Sequence, residues 1–143
     1  MLSNTCKYAI RATVYLSVYS NPNKRIGIKE ISEKLDMPSP FLGKILQTLA
    51  KNKILASTKG PNGGFSLARS AEDISLMDLV DIIDGTDIFD TCLVRTSKCS
   101  SEKPCAIHDS VTSMRKELKN FFINQTVGDL ATEFRTNSKR INI

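Results

Sequence analysis

A chain of 143 residues, 41% hydrophobic with seven glycines and five prolines, has the length and composition of one folded domain, which excludes collagen-like and wholly disordered classes. Its net charge is +5, its four cysteines stand at 6, 92, 99 and 105, and its only histidine is His108. The amino end lacks the basic-then-apolar pattern of a secretory signal, and no run of about 18 apolar residues could span a bilayer. A cytoplasmic protein with reduced thiols and no membrane partner is expected.

The charge is uneven. Residues 1–70 carry +8, residues 71–100 carry −5 and the remainder +2. A basic half followed by an acidic stretch suits one surface for a polyanion and another for something else, although an ordinary solvated surface has the same look.

In chain order, residues 4–19 predict a helix capped by Asn4 or Thr5, with a wide apolar surface that suits a core position. Asn21-Pro22-Asn23 ends it. Ile28, Ile31 and Leu35 mark a short amphipathic helix, and Asp36-Met37-Pro38 a turn. Ser39 then serves as N-cap with Pro40 at the first helical position. Phe41, Ile45, Leu46 and Leu49 give the inner face of a second short helix, ending near Lys51. Two short helices joined by a tight turn form a helix-turn-helix pattern.

Residues 54–58 and 65–68 alternate like paired strands around a tip, Lys59-Gly60-Pro61-Asn62-Gly63-Gly64, whose residues tolerate positive φ. A basic hairpin directly after a helix-turn-helix is a wing. Leu76, Leu79, Val80 and Ile83 mark another helix, stopped by Gly85. Residues 86–104 lack apolar periodicity and carry cysteines. Ile107, Val111, Met114, Leu118 and Phe121 then step by 4, 3, 4 and 3, a heptad-like seam, followed by a short segment at 127–134 and a polar, flexible tail at 135–143. The expected fold is mainly α with a small β-hairpin. It comprises a winged helix-turn-helix domain (1–85), a cysteine loop (86–105), and a dimerisation helix with a C-terminal helical segment (106–134).

In a helix-turn-helix the second helix enters the major groove while the first steadies it on the backbone. Its outward positions here are Ser39, Gly43, Lys44, Gln47 and Thr48, with Lys51 at the end. Lys44 can contact phosphate or guanine, and Gln47 can read adenine. The helix amino end at Ser39 and Pro40 suits a phosphate. Lys59 would meet a minor groove or phosphate, and Gly60, Gly63 and Gly64 both build the turn and let backbone amides approach DNA closely.

Cys92, Cys99, Cys105 and His108 have the spacing C-x6-C-x5-C-x2-H. Thiolate and imidazole suit iron–sulfur or zinc. The tight knuckles usual for structural zinc are absent, and iron–sulfur clusters tolerate wider spacings. Cys105 and His108 would project from one helical face. The loop has almost nothing apolar to hold it, so a bound cofactor would supply its order. Three free cysteines could equally form a thiol switch. Cys6 reads as a small core residue. No orienting third group accompanies a Cys/His pair, so an enzyme is not expected.

The order of helix, helix-turn-helix, Lys59-to-Phe65 wing, three cysteines and seam helix resembles the IscR/NsrR family of bacterial winged-helix regulators. Leu67-Ala68-Arg69 and Val127-Gly128-Asp129-Leu130 look similar too, and the resemblance runs from about Leu2 to Phe134. It implies a homodimer through the 106–124 helix that binds double-stranded promoter DNA. It further implies three ligands at Cys92, Cys99 and Cys105, with His108 at the position of the histidine ligand in the IscR-like branch. That set implies a [2Fe–2S] cluster, which oxygen can remove from a sample. The NsrR-like branch instead uses a carboxylate near residue 8, where this chain has Tyr8. Gly43 stands where IscR has a glutamate, and the Cys92–Cys99 spacing is one residue longer than in IscR. The expected function is a sequence-specific transcriptional regulator modulated by an iron–sulfur cluster or redox state. The alternatives are a zinc- or thiol-controlled regulator without a cluster, and a protein-interaction adaptor.

Overall fold

Ser3, not Asn4 or Thr5, caps the first helix: its hydroxyl accepts from the Cys6 N–H at 3.0 Å, and its own N–H bonds to the Asp84 carboxylate at 2.8 Å. One early side chain thus starts α1 (Asn4–Tyr19) and ties it to the end of α4 (Leu76–Ile83). The computed structural model describes residues 1–136. Between those helices lie α2 (Ile28–Leu35), α3 (Ser39–Lys51), β1 (Leu55–Thr58) and β2 (Gly64–Leu67); α5 (His108–Asn124) and α6 (Val127–Thr136) follow. The fold is mainly helical with an antiparallel β1–β2 hairpin, as the sequence predicts. The last helix continues through Arg135 and Thr136, two residues into the segment expected as tail, and the remaining 137–143 lie outside the described residues.

The core forms where α1, α2, α3 and the hairpin converge. Ala9, Ala12 and Leu16 of α1 meet Ile31 and Leu35 of α2 and Leu42, Ile45, Leu46 and Leu49 of α3, all buried. Leu42 therefore occupies the inner position expected for Phe41, which is exposed. The angle between Leu42 and Ile45–Leu46–Leu49 falls within one apolar stripe, whereas position 41 lies at its margin. The turn between α2 and α3 is held by a chain of hydroxyls: Ser39 donates to Ser32 at 2.9 Å, and Ser32 donates to the Met37 carbonyl. Asp36 adopts the left-handed conformation there (φ 52°), and Arg11 of α1 donates to the Leu35 carbonyl at 3.0 Å.

The hairpin pairs Leu55 with Leu67 and Thr58 with Gly64. Ile26, just before α2, bonds to Phe65 in both directions at 2.8 and 3.0 Å, adding a third, one-residue strand beside β2. The wing is therefore anchored on two sides. At the other end of the domain, the backbone around Ser75 pairs with that around Thr126, and α6 packs back on α1. The C-terminal helix is thereby part of the winged-helix body, while α5 leaves and returns. Among the described residues no helix is long and apolar enough to cross a membrane.

Candidate functional site

Pro38 precedes α3 as its cap residue, so Ser39 and Pro40 are already helical and no side chain caps the helix. This corrects the expected Ser39 cap: the Ser39 hydroxyl is turned to Ser32 instead. The amino end of α3 thus keeps unsatisfied N–H groups pointing outward, a favourable environment for an anion. Ser39, Pro40, Lys44, Gln47, Thr48 and Lys51 are all exposed on the side of α3 away from the core. Thr48 donates to the Lys44 carbonyl at 2.8 Å, which leaves its oxygen lone pairs outward.

The wing tip presents Lys59 and Gly60 to solvent, with Gly63 half-buried. Gly64 departs from expectation. It is buried, and a Cβ there would stand 2.6 Å from the Ile26 carbonyl, so the glycine lets β2 lie against Ile26. Gly63 closes the tip, its N–H donating to the Gly60 carbonyl at 2.9 Å.

The second cluster lies on the segment between α4 and α5. Its backbone is more ordered than its polar sequence suggests. Thr91 bridges Lys98, the Cys92 N–H bonds to Ser97, and the Cys99 N–H bonds to Asp90, which makes a small hairpin carrying Cys92 and Cys99 on either side of the Thr91–Lys98 pair. Lys98 reaches the Asp87 carboxylate at 2.8 Å, and Arg115 of α5 donates to the Thr91 carbonyl. The order expected from a cofactor is thus partly supplied by backbone pairing and two cations. Cys105 is not on the helix with His108, as its spacing suggested. It precedes α5, and the contact between them is a backbone bond from the His108 N–H to the Cys105 carbonyl at 3.0 Å.

Cys92, Cys99, Cys105 and His108 nevertheless line one cavity of about 120 Å³, rimmed by Arg95, Lys98 and Lys103. Cys99 Sγ lies 3.3 Å from His108 Nδ1. Among the described residues no three cysteine, histidine or carboxylate side chains converge as a metal-ligating group. The donor chemistry, three thiols and one imidazole around a small pocket, still fits a soft metal or an iron–sulfur core. Backbone N–H groups of Val94 and Arg95 aimed at the Cys92 sulfur, helped by the nearby Arg115 and Arg95 charges, hold its thiol below the ordinary cysteine value. Burial pushes the Cys6 thiol the other way, up to about 12, with the Asp84 charge adding to the effect. Cys6 is a core residue, as its position on α1 predicts.

Three contributors were not legible in the sequence: Ile26 as the wing's third strand, Arg115 as the tie between α5 and the cysteine hairpin, and the exposed ring of Phe41. The first two depend on chain segments that meet only in three dimensions. A basic residue two turns past His108 was the only local signal for Arg115.

A helix-turn-helix, a wing of two four-residue strands and a returning C-terminal helix define a winged-helix fold. The chain belongs to the Rrf2 family, whose model, described as an iron-dependent transcriptional regulator, matches residues 2–133. It is 32% identical over 132 residues to an Aquifex aeolicus protein named as an HTH-type transcriptional regulator, covering 91% of this chain and 90% of that one. It is 24% identical to the HTH-type transcriptional regulator IscR of Vibrio parahaemolyticus, covering 92% and 77%. Among solved structures, CymR, the global cysteine regulator of B. subtilis, has a TM-score of 0.78 at 17% identity, covering 92% of this chain and 96% of that one. IscR of T. potens has 0.71 at 20%, covering 93% and 87%. At these identities the two structures establish the shared fold. The regulator descriptions of the relatives agree with a non-enzymatic role.

Proposed function

We propose that this regulator binds double-stranded operator DNA as a homodimer and adjusts that binding through chemistry at its cysteine pocket. The observation that carries the reading is the meeting of Cys92, Cys99, Cys105 and His108 around one cavity, tied by Arg115 to the helix proposed to join two subunits. Ser39, Pro40, Lys44, Gln47, Thr48 and Lys51 would face the major groove, and Lys59 with the Gly60–Gly63 turn would reach the flanking backbone. Gly64 supports the wing from beneath. A cytoplasmic protein suits this role.

Cys92, Cys99, Cys105 and His108 would hold an iron–sulfur cluster, with [2Fe–2S] favoured by the three-thiol, one-imidazole donor set and its resemblance to the IscR-like branch. When bound, the cluster supplies a redox-active, oxygen-labile centre. The chain's own contribution is positional. The Thr91–Lys98 bridge holds Cys92 and Cys99 in register, the 3.3 Å approach orients His108, and Arg115 transmits loop position to α5.

Protein purified without oxygen should be coloured and contain iron and acid-labile sulfide, and Cys99→Ala should lose both. Its operator affinity should fall steeply with salt, as phosphate contacts require. A specific observation favours a second reading. Cys92 is a half-buried thiol held below its ordinary value, and an oxidised form of the CymR of Staphylococcus aureus has been solved with the same fold. Metal-free protein that forms a reversible disulfide among Cys92, Cys99 and Cys105, with DNA affinity following it, would establish the thiol switch and overturn the cluster.

A further inference from the structure

Phe41 is 39% exposed at the amino end of α3, although an aromatic ring there has no obligation to face water. Its edge is held from behind. The ring meets Tyr8 of α1 in a T-shaped contact, centroids 5.7 Å apart and planes 83° apart. Tyr8 in turn lies 5.8 Å beneath the Arg11 guanidinium, and Arg11 is fixed to the Leu35 carbonyl at the helix-turn-helix corner. A ring packed on one edge and open on the other is a preorganised apolar surface. Steps of three and four residues place Phe41, Lys44 and Thr48 along one stripe of the helix, so the ring continues the polar face proposed to enter the groove. The burial of Leu42 removes any need for Phe41 to complete the core.

We infer that Phe41 is a specificity-determining residue that reads thymine through its C5-methyl group in the major groove. This rests on the reading of α3 as the groove-entering helix. Of the four bases only thymine presents an apolar group on that edge, and an aromatic side chain is one of the few that can reward it. Helix amino-terminal residues are the ones that reach base edges in this motif. Lys44, one turn further along the stripe, supplies the charge that an apolar contact lacks, so the pair would read a thymine next to a guanine or phosphate.

The test uses the full chain and duplexes that it selects from a randomised pool. Each thymine recurring in the selected sites is replaced singly by deoxyuridine, which removes only the methyl group. We expect one thymine per half-site whose replacement weakens binding roughly fourfold, the factor that burial of one methyl group supplies. Phe41→Ala should weaken binding to the thymine duplex by at least as much and abolish the difference between thymine and uracil. Phe41→Leu, which keeps apolar bulk without the ring, should retain part of it. The double-mutant cycle isolates the contact from any general loss. Unchanged uracil discrimination in Phe41→Ala, or no methyl-sensitive thymine in the selected sites, overturns the inference while leaving DNA binding in place. Failure of the wild-type chain to select any sequence overturns the DNA reading itself.

Discussion

Gly64 combines two constraints that the other wing glycines meet singly. Its φ is +146°, and a Cβ would stand 2.6 Å from the Ile26 carbonyl and 2.9 Å from the Gly27 nitrogen. Gly60 has φ +109° with open space around it. Gly64→Ala should therefore cost roughly 2–4 kcal/mol, from backbone strain plus separation of β2 from Ile26, and Gly60→Ala only about 1 kcal/mol. Thermal unfolding of the two variants decides it; equal losses would show that the Ile26 contact contributes nothing. The sequence showed that this tip needs glycine but not which glycine serves the turn and which the third strand. That distinction depends on Ile26, nearly forty residues upstream. Phe41 is a parallel case. Apolar identity assigned it to the core, yet at the edge of a helical stripe identity does not decide orientation, and Leu42 fills the site instead. Cys6 was readable because a small thiol in the first turn of a largely apolar helix has one ordinary fate.

Two helices begin side by side with the same device. Ser75 and Asp78 form a reciprocal capping box at the start of α4, and Thr126 and Asp129 make the same pair of bonds at the start of α6, at 2.8 and 3.1 Å. The two cap residues are bridged by the backbone, with the Leu76 N–H on Gln125 and the Val127 N–H on Ile74, both at 2.8 Å. Each motif can be read from its spacing, serine or threonine followed three residues later by an acid. Their pairing cannot, because the polypeptide makes α5 in between. Thr126→Ala should cost about 1 kcal/mol and lower Tm by roughly 3 °C. The Thr126 N–H, then its hydroxyl, bond to the charged Asp129 carboxylate and hold its pKa below the usual aspartate value, against a smaller desolvation effect. A depressed folded-state pKa contributes stability above the unfolded value, and that contribution disappears as pH falls through the folded one. Asp129→Ala should thus unfold earlier than wild type at pH 7, with the gap closing as pH falls below about 4. A gap that persists unchanged to pH 3 would assign the effect to lost packing, not to charge.

The distribution of apolar surface over the molecule divides α5 into two stripes. The heptad-like seam splits in the folded chain. Val111 and Phe122 are buried and Leu118 is partly so, and Phe122 and Leu118 pack with Cys6, Leu76, Val80 and Phe89. Ile107, Met114 and Phe121, seven residues apart, remain 43, 57 and 53% exposed. Periodicity detected one stripe because 4-3 spacing cannot distinguish a helix covered on one side from a helix covered on two. The inner stripe closes this chain's own core, and the outer one has the seven-residue spacing of a coiled-coil seam, the surface through which the proposed dimer would join. Arg115 flanks the inner stripe and holds Thr91, beside Cys92, so the cysteine pocket is tied to the helix proposed to form the interface. The winged-helix body packs on the same helix through Phe122 and Leu118. Met114→Glu would place a charge in the middle of the outer stripe without touching the inner one. It should leave Tm nearly unchanged, convert the chain to monomer in sedimentation at micromolar concentration, and weaken operator binding roughly tenfold or more through loss of the second half-site. A variant that stays dimeric and binds operator as wild type would show that subunits join elsewhere, and that the link from cysteine pocket to α5 does not run through a dimer.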